Sequence, residues 1–320
     1  MFKNSAQTLN ETPPTYEQLL ASMSAPDTPH QERLLAMFYG ESGKGKTILA
    51  ISTIVAINKA MGLNKGVILI ETGSGGISLH NHPDLIPYVR RIQYESLEQI
   101  VTIGRLIREG AGEFEYYNGI VIDEYSSVAR METDRVHQER IRLDLLQQSE
   151  RNDKAELNVT PTWPTYNATA VRMRRMLDDL SKANNLHIVL TCHEGYDKNK
   201  SAEIVKIKPR LSKAIEDVTV ELMHVIGRLT AYTTKDAQGK PTYIRTMNVH
   251  GTGAYVVKTR IPWDQMDIPT DVVPSWIANY ISANSTVSEP TEISDNTVET
   301  EVEDEQVTEN TEIDLSEFIL

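Results

Sequence analysis

An eight-residue segment, Gly-Glu-Ser-Gly-Lys-Gly-Lys-Thr at 40–47, constrains the fold of this chain more than any other feature. Glycine at its first and sixth positions, followed by Lys and Thr, is the pattern of a phosphate-binding P-loop. Such a loop needs a strand before it and a helix after it, because turn amides and the helix N-terminus together form the anion site. An apolar run at 34–39 and a helix-compatible segment at 48–61 supply both. The sequence therefore predicts a nucleotide-binding α/β domain.

The residue types of this loop assign roles to its members. Lys46 is expected to neutralise the β- and γ-phosphate oxygens of ATP, and the Thr47 hydroxyl to hold Mg²⁺. The glycines let backbone N–H groups turn toward the phosphates. The residues predicted to bind ATP are Gly40, Glu41, Ser42, Gly43, Lys44, Gly45, Lys46, Thr47 and Ile48.

A second apolar segment, at 119–122, ends in Asp123 and Glu124. A parallel strand places such residues at the carboxyl edge of the sheet, where ligands bind in open α/β folds. Asp123 is therefore predicted to hold Mg²⁺ through its waters. Glu124 is predicted to orient or deprotonate the attacking water.

Two further apolar strands end in polar residues. The first, at 67–70, is followed by Glu71, a second candidate for the water-activating carboxylate. The other, at 188–190, is followed by Thr191 and His193. A polar side chain at this place can contact the γ-phosphate and report hydrolysis to a neighbouring loop. The alternative is that both are structural polar residues with internal partners.

The net charge of −13 is unevenly distributed along the chain. Residues 282–320 hold twelve Asp and Glu and no Lys or Arg, which leaves 33 acids against 32 bases in 1–281. We predict a partly ordered leader at 1–30, an ATPase domain at 31–281 and a disordered acidic tail with an apolar tip at 282–320. The tail is either solvated, a docking peptide for a replication or recombination protein, or an internal mimic of nucleic acid.

The fold class follows from the alternation of strand and helix patterns. It predicts an α/β P-loop core with a mostly parallel central sheet covered on both faces. Antiparallel strands are expected at 228–234, 242–249 and 254–258. No apolar run has the length of a membrane span, and the single Cys192 fits a reducing compartment, so a soluble intracellular protein is expected.

The order of these motifs resembles the RecA-like ATPases encoded by phages, a group that includes single-strand-annealing recombinases. The resemblance spans about 33–262 and includes Leu-Thr-Cys-His-Glu at 190–194, Ile-Gly-Arg at 226–228 and Lys-Thr-Arg at 258–260. Family members more often have Asp-Thr-Glu-Gly where this chain has Glu71-Thr72-Gly73. The missing second acid puts Glu124 ahead of Glu71 as the base.

The resemblance implies a ring or filament of identical subunits in the cytoplasm of a phage-infected bacterium. In such assemblies a Lys-x-Arg reaches the nucleotide of the next subunit, so Lys258 and Arg260 are expected to act in trans. Plain surface charge is the competing interpretation of this pair.

The segment 197–213 lies where relatives place a mobile DNA-binding loop. It carries six cations against Asp197 and Glu203, which suits non-specific contact with single-stranded DNA, although a solvated basic loop fits the same composition. Its predicted DNA-binding residues are Lys198, Lys200, Lys206, Lys208, Arg210 and Lys213.

Two functions remain open on the sequence alone. The first is an ATP-hydrolysing protein that acts on single-stranded DNA in phage recombination or replication, by annealing or strand pairing. The second is an ATP-dependent helicase loader or switch protein that works through a protein partner bound to the tail.

Overall fold

A computed structural model of the chain describes residues 33–73, 75–151, 160–182, 185–235, 238–251 and 253–285. The predictions for the leader at 1–30 and for the tail from 286 onward lie outside these residues, and the domain boundaries stay predictions. The last described helix runs to Asn284, so the predicted start of the tail at 282 falls within a helix.

The described part of the chain forms one ten-stranded sheet. Its strands are β1 Leu35–Gly40, β2 Gly66–Glu71, β3 Val89–Gln93, β4 Tyr117–Asp123, β5 His187–Lys198, β6 Ile204–Pro209, β7 Val225–Lys235, β8 Pro241–Asn248, β9 Lys258–Thr259 and β10 Asp267–Pro269. The main order is β10-β8-β7-β1-β5-β4-β2-β3, with β6 paired to β5 and β9 to β7. Strands β1 to β5 and β7 pair in parallel, while β6, β8, β9 and β10 pair antiparallel. The predicted α/β architecture is confirmed.

Helices cover both faces of this sheet. They are α1 Lys46–Ala60, α2 Leu97–Glu109, α3 Tyr125–Arg151, α4 Trp163–Ser181, α5 Lys213–Leu222 and α6 Val273–Asn284. Strand β1 shows the division: Leu35, Met37 and Tyr39 pack in the core that holds α2, α3, α4 and α5. Ala36 and Phe38 pack on the other face with α1 and α6. Alternation along a buried strand thus separates two apolar cores.

Parallel pairing brings the carboxyl ends of the central strands to one edge. Gly40 at the end of β1 lies opposite His193 of β5, and Glu71 of β2 lies opposite Asp123 of β4. The residues that the sequence placed after each apolar run are therefore collected at a single edge of the sheet, as expected for an open α/β fold.

Two predictions of local structure are wrong. The segment 254–258 is not a strand: Tyr255 makes an isolated bridge to Ile207, and regular pairing occurs only at Lys258 and Thr259. The predicted basic loop is instead a hairpin, in which β5 continues to Lys198 and β6 pairs with it antiparallel. Backbone hydrogen bonds with β5 hold this segment in a strand. Its many lysines suggest a solvated loop because composition does not show backbone pairing.

Candidate active site

The P-loop takes the backbone conformation that its glycines allow. Gly43 has φ 75° and Gly45 has φ 88°, left-handed values that favour glycine. A Cβ at Gly40 would lie 2.5 Å from the carbonyl oxygen of Leu229, so the strand end also requires glycine. Gly45 caps the N-terminus of α1, which directs the helix amides at the loop. The predicted phosphate-binding turn is formed.

Lys46 lies inside this turn. Its Nζ donates to the carbonyl oxygen of Gly40 at 3.1 Å and to that of Glu41 at 2.9 Å. The side chain is buried, and this burial lowers the pKa of the ammonium group, while the nearby carboxylates of Glu124 and Asp123 act in the opposite direction. The hydrogen bonds of this buried ammonium group go to neutral carbonyl oxygens, so its charge is available for phosphate oxygens.

Three hydroxyl and carboxylate groups meet at the position predicted for the metal. The Thr47 hydroxyl donates to Asp123 Oδ1 at 2.9 Å, and the Thr191 hydroxyl donates to the same oxygen at 2.6 Å. Asp123 is 2 % exposed. Hard oxygen ligands of this kind fit Mg²⁺, which keeps several waters and takes further oxygens from phosphates. Within the described ranges, no group of three or more His, Cys, Asp or Glu side chains could by itself hold a metal ion.

Glu124 follows Asp123 in a left-handed conformation, with φ 64°. Its backbone N–H donates to the Thr191 hydroxyl at 2.9 Å, and its Oε2 lies 2.7 Å from Nε2 of His193. Burial raises the pKa of the Glu124 carboxyl, against the lowering effects of His193 and Lys46. A half-buried carboxylate beside the phosphate site, with a raised pKa, suits proton abstraction from water.

Glu71 is not available for this role. Its Oε2 forms an ion pair with Nε of Arg91 at 2.7 Å, and its side chain is 5 % exposed. The carboxylate does not line the cleft beside the P-loop, whereas Glu124 does. The inclusion of Glu71 among the catalytic residues is therefore corrected, because its strand lies outside β4, farther from β1 than Asp123.

The two candidate sensors have different environments. The Thr191 hydroxyl is shared between Asp123 and the amide of Glu124, so it positions both the Asp123 carboxylate and the backbone of Glu124. His193 lies beside the Glu124 carboxylate and is one-third exposed. Of the two, His193 has the more exposed side chain, since Thr191 is fully buried.

Lys258 and Arg260 lie far from the P-loop of their own chain. Lys258 pairs with Ile226, which is level with Met37, three residues before the end of β1. Arg260 continues toward the amino ends of the parallel strands, where its N–H donates to the carbonyl oxygen of His224. These residues cannot serve their own nucleotide site, so any such role must be in trans.

The Lys258 ammonium also has a structural task. It donates to the carbonyl oxygens of Val220 at 2.9 Å and Glu221 at 3.1 Å, at the C-terminal end of α5. Arg260 is exposed and, within the described residues, forms no ion pair. Of the predicted pair, Arg260 is the one whose side chain has neither a hydrogen bond nor an ion pair among the described residues.

The six cations of 197–213 fall into two groups. Lys208 is 15 % exposed and lies 2.9 Å from Asp197 and 3.1 Å from Glu216, and Lys213 pairs with Asp217. These two stabilise the hairpin and the start of α5. The other four have no ion pair in the part of the chain that the structure describes: Lys198, Lys200, Lys206 and Arg210.

A cleft of about 580 Å³ opens beside the P-loop, a volume within the usual range for small-molecule sites. Its lining includes the P-loop, Asp123 and Glu124, together with His82 and Asp84 from one side and Arg245 from β8. Sequence reasoning missed Arg245, because no motif marks it and only the β7–β8 register brings it to the cleft.

These features define a P-loop nucleoside triphosphatase fold. A glycine-rich turn joins a central parallel strand to a helix, and a buried Lys and a Thr–Asp pair lie beside it. Residues 33–261 match the family described as an AAA domain, and the chain belongs to that family. The family match supports nucleotide binding of the ATPase type. A search of curated proteins gives no significant match. None of the helices that the structure describes combines the length and apolar character needed to cross a membrane.

Proposed function

We propose that the protein hydrolyses ATP at this site. The observation that carries the proposal is the convergence of Lys46, the Thr47–Asp123 pair and the Glu124–His193 pair at one edge of the sheet. The P-loop amides and Lys46 hold the β- and γ-phosphates. Mg²⁺, when bound by Thr47 and Asp123, neutralises phosphate charge.

Glu124 supplies the base for the reaction. The oxygen of a water molecule forms a bond to the γ-phosphorus, its proton passes to the Glu124 carboxylate, and the bond from phosphorus to the bridging oxygen of ADP breaks. The raised pKa of Glu124 strengthens it as a proton acceptor. His193 fixes the orientation of this carboxylate through the 2.7 Å contact.

We further propose that the protein acts on single-stranded DNA in phage recombination or replication, in the cytoplasm of the host. The support is positional: the β5–β6 hairpin begins at the strand that carries His193 and presents Lys198, Lys200 and Lys206. A change at the γ-phosphate thus has a direct route along β5 to cations that suit a nucleic-acid backbone. The alternative for these lysines, simple solvation, is one outcome of the test below.

Action in a ring or filament is part of the same proposal. Arg260 cannot reach the nucleotide of its own subunit and is exposed at the opposite edge of the sheet. In a head-to-tail assembly that edge faces the P-loop edge of a neighbour, so the guanidinium would stabilise charge on the transferred phosphoryl group.

A helicase loader or switch protein is the second candidate. The observation in its favour is a set of exposed apolar side chains on α3 and α4, where Leu143, Leu146 and Trp163 are each more than half exposed. Apolar surface of this kind is common at protein-binding sites. In this function the protein partner, not DNA, stimulates hydrolysis.

One experiment separates these functions. ATP hydrolysis is measured with and without single-stranded DNA, with Lys46→Ala as the blank. Stimulation by DNA supports the recombinase-type function, and hydrolysis indifferent to DNA favours the loader. Equal activity in wild type and Lys46→Ala would exclude the site itself.

A further inference from the structure

The β7–β8 hairpin extends past the end of the P-loop strand. Leu229 of β7 lies opposite Gly40, the last residue of β1, and β7 continues to Lys235. Arg245 of β8 pairs with Ala231, two residues beyond Leu229. At about 3.3 Å per residue, this places Arg245 about 7 Å past the end of β1, level with the P-loop turn.

The side chain of Arg245 points to the face of the sheet that carries α1. Met247, two residues further along β8, is buried in the core that α1 forms on this face. Because alternate residues of a strand share a face, Arg245 and Tyr243 lie on the same side as Met247. The Cδ of Arg245 lies 3.9 Å from the position that a Cβ on Gly45 would occupy, and its Nε lies 4.0 Å away.

The guanidinium is held in this place by its neighbours. It lies over the ring of Tyr243, with Cζ 5.1 Å from the ring centroid. The carbonyl oxygen of Arg245 accepts a hydrogen bond from the N–H of Thr270 at 3.1 Å, which fixes the backbone beside α6. A contact with the face of a ring does not use the guanidinium N–H groups as hydrogen-bond donors to an acceptor atom.

Among the residues that the structure describes, no carboxylate forms an ion pair with Arg245. Lys44, a cation of the P-loop, does have such a partner: its Nζ lies 3.2 Å from Oε2 of Glu41. Within the described residues, Arg245 and Lys46 are the cleft-lining cations that form no ion pair with an acid. Lys46 belongs to the loop that follows β1, and Asp123 lies at the end of β4, on the far side of β5. Arg245 approaches from the opposite direction, by way of β7.

We infer that Arg245 binds the phosphate chain of the nucleotide in cis, from the side of the P-loop opposite to Asp123. The inference rests on the proposed nucleotide site and deepens it. Mg²⁺ and Lys46 leave part of the triphosphate charge uncompensated, and a guanidinium can donate two N–H groups to phosphate oxygens at once. Its position beside Gly45, whose amide belongs to the anion-binding turn, favours phosphate over the base as the contacted group.

The test uses the full chain and two competitors. A fluorescent ATP analogue is displaced by ATP or by inorganic tripolyphosphate, for wild type, Arg245→Ala, Arg245→Lys and Arg90→Ala. Arg90 is exposed on β3, at the far edge of the sheet, and serves as the matched control. Arg245→Ala is expected to weaken both competitors about tenfold, since it removes one charge-assisted interaction with phosphate. Arg245→Lys recovers part of this affinity because it keeps the charge without the two-pronged geometry. Arg90→Ala binds as wild type.

A second pair of variants tests whether the ring of Tyr243 holds the Arg245 guanidinium in place. Tyr243→Phe keeps the ring under Arg245 and is expected to weaken both competitors less than the loss of the ring does. Tyr243→Leu removes the ring and is expected to weaken both by a few-fold, because Arg245 is then less ordered. Thermal unfolding of each variant shows that the fold is retained.

Three results would overturn the inference. Wild-type affinity in Arg245→Ala, beside loss of binding in Lys46→Ala, refutes it while the nucleotide site stands. Weaker binding of ATP with unchanged binding of tripolyphosphate assigns Arg245 to the nucleoside instead. Absence of ATP binding in the wild type overturns both this inference and the proposed function.

Discussion

The hydroxyl of Thr191 donates a hydrogen bond to Asp123 Oδ1 at 2.6 Å. The oxygen of the same hydroxyl accepts the backbone N–H of Glu124 at 2.9 Å, where the chain takes a left-handed turn at φ 64°. A non-glycine residue in this region is strained, and surrounding contacts must hold it there. One threonine on β5 therefore fixes both the carboxylate of Asp123, the proposed metal ligand, and the backbone of Glu124, the proposed base.

Thr191→Val should lower kcat for ATP about tenfold or more and raise the Mg²⁺ concentration needed for half-maximal rate. The substitution keeps the shape of the side chain but removes the hydrogen bonds to Asp123 and to the Glu124 amide. Asp123 Oδ1 keeps the bond from the Thr47 hydroxyl, whereas the Glu124 amide loses its acceptor, which costs about 1–3 kcal/mol. Steady-state ATPase measured across a Mg²⁺ titration checks this. Thr191→Ser keeps the hydroxyl and should restore most of the rate, and a serine variant as slow as valine would show that only packing matters.

The rate of hydrolysis should fall on the acidic side as Glu124 takes up a proton. Burial raises the pKa of its carboxyl and His193 lowers it, so His193→Ala should move the acid limb of the pH–rate profile to higher pH. Glu124→Gln should reduce kcat by about 100-fold or more while ATP still binds. An acid limb that does not move in His193→Ala would contradict electrostatic contact between the two groups.

Strong local patterns make part of this structure predictable. Helix α2 is an example: the Ser96 side chain caps its start and Gly110 ends it with φ 62°, and both are local signals in the sequence. The P-loop and Asp123 are likewise marked in the sequence, because each follows a short apolar strand and has residue types typical of phosphate or Mg²⁺ binding. These features depend on residues that are adjacent in the sequence, so they can be read from one sequence alone.

Features that depend on pairing between distant segments escape sequence reasoning. Nothing in the sequence indicates that Arg91 engages Glu71 or that Lys208 pairs with Glu216 and Asp197. The position of Arg245 beside Gly45 follows from the register of β7 with β1 and β8. Composition identifies the charges, and only the fold assigns their partners.

Three lysines of the β5–β6 hairpin form no ion pair within the described residues, and removing them should weaken binding to single-stranded DNA. The combined change Lys198→Ala, Lys200→Ala and Lys206→Ala is expected to lower the slope of log affinity against log salt by about 0.7 for each phosphate that the hairpin no longer neutralises. Fluorescence anisotropy with an oligonucleotide measures this slope. A control with Arg90, Arg105 and Arg108 changed to Ala removes the same charge elsewhere and should keep the wild-type slope, and equal reductions in both would indicate only a long-range field.

Action of Arg260 in trans makes a specific prediction for mixed subunits. Lys46→Ala and Arg260→Ala should each be inactive alone, because one lacks the phosphate lysine and the other the guanidinium given to a neighbour. An equal mixture should recover part of the ATPase rate, since some intact sites form between the two kinds of subunit. Lys258 is left unchanged because it holds the end of α5. A mixture as inactive as its components, with oligomers present, would exclude the trans role.

A buried histidine, His187, and a half-buried one, His224, should make the fold less stable in mild acid. Burial lowers the pKa of His187 to about 4, and Nδ1 of this side chain accepts the N–H of Leu34 at 3.1 Å. The pKa of His224 is also lowered to about 4, by burial and then by the charge of Arg260. In the unfolded chain a histidine titrates near pH ~6.5, so protons bind preferentially to that state. Stability is therefore retained above about pH 6.5 and lost as the pH falls toward 4.

For His187 this loss amounts to about 2 kcal/mol between about pH 7.5 and about pH 5. Urea unfolding at both pH values gives the free energies directly. His187→Asn offers an acceptor for the Leu34 amide without a group that titrates, so its stability should fall less over the same interval, by about that amount. Carboxylates titrate alike in both proteins, and their effect cancels in the comparison. Parallel pH profiles for wild type and His187→Asn would show that His187 is not kept neutral by the fold.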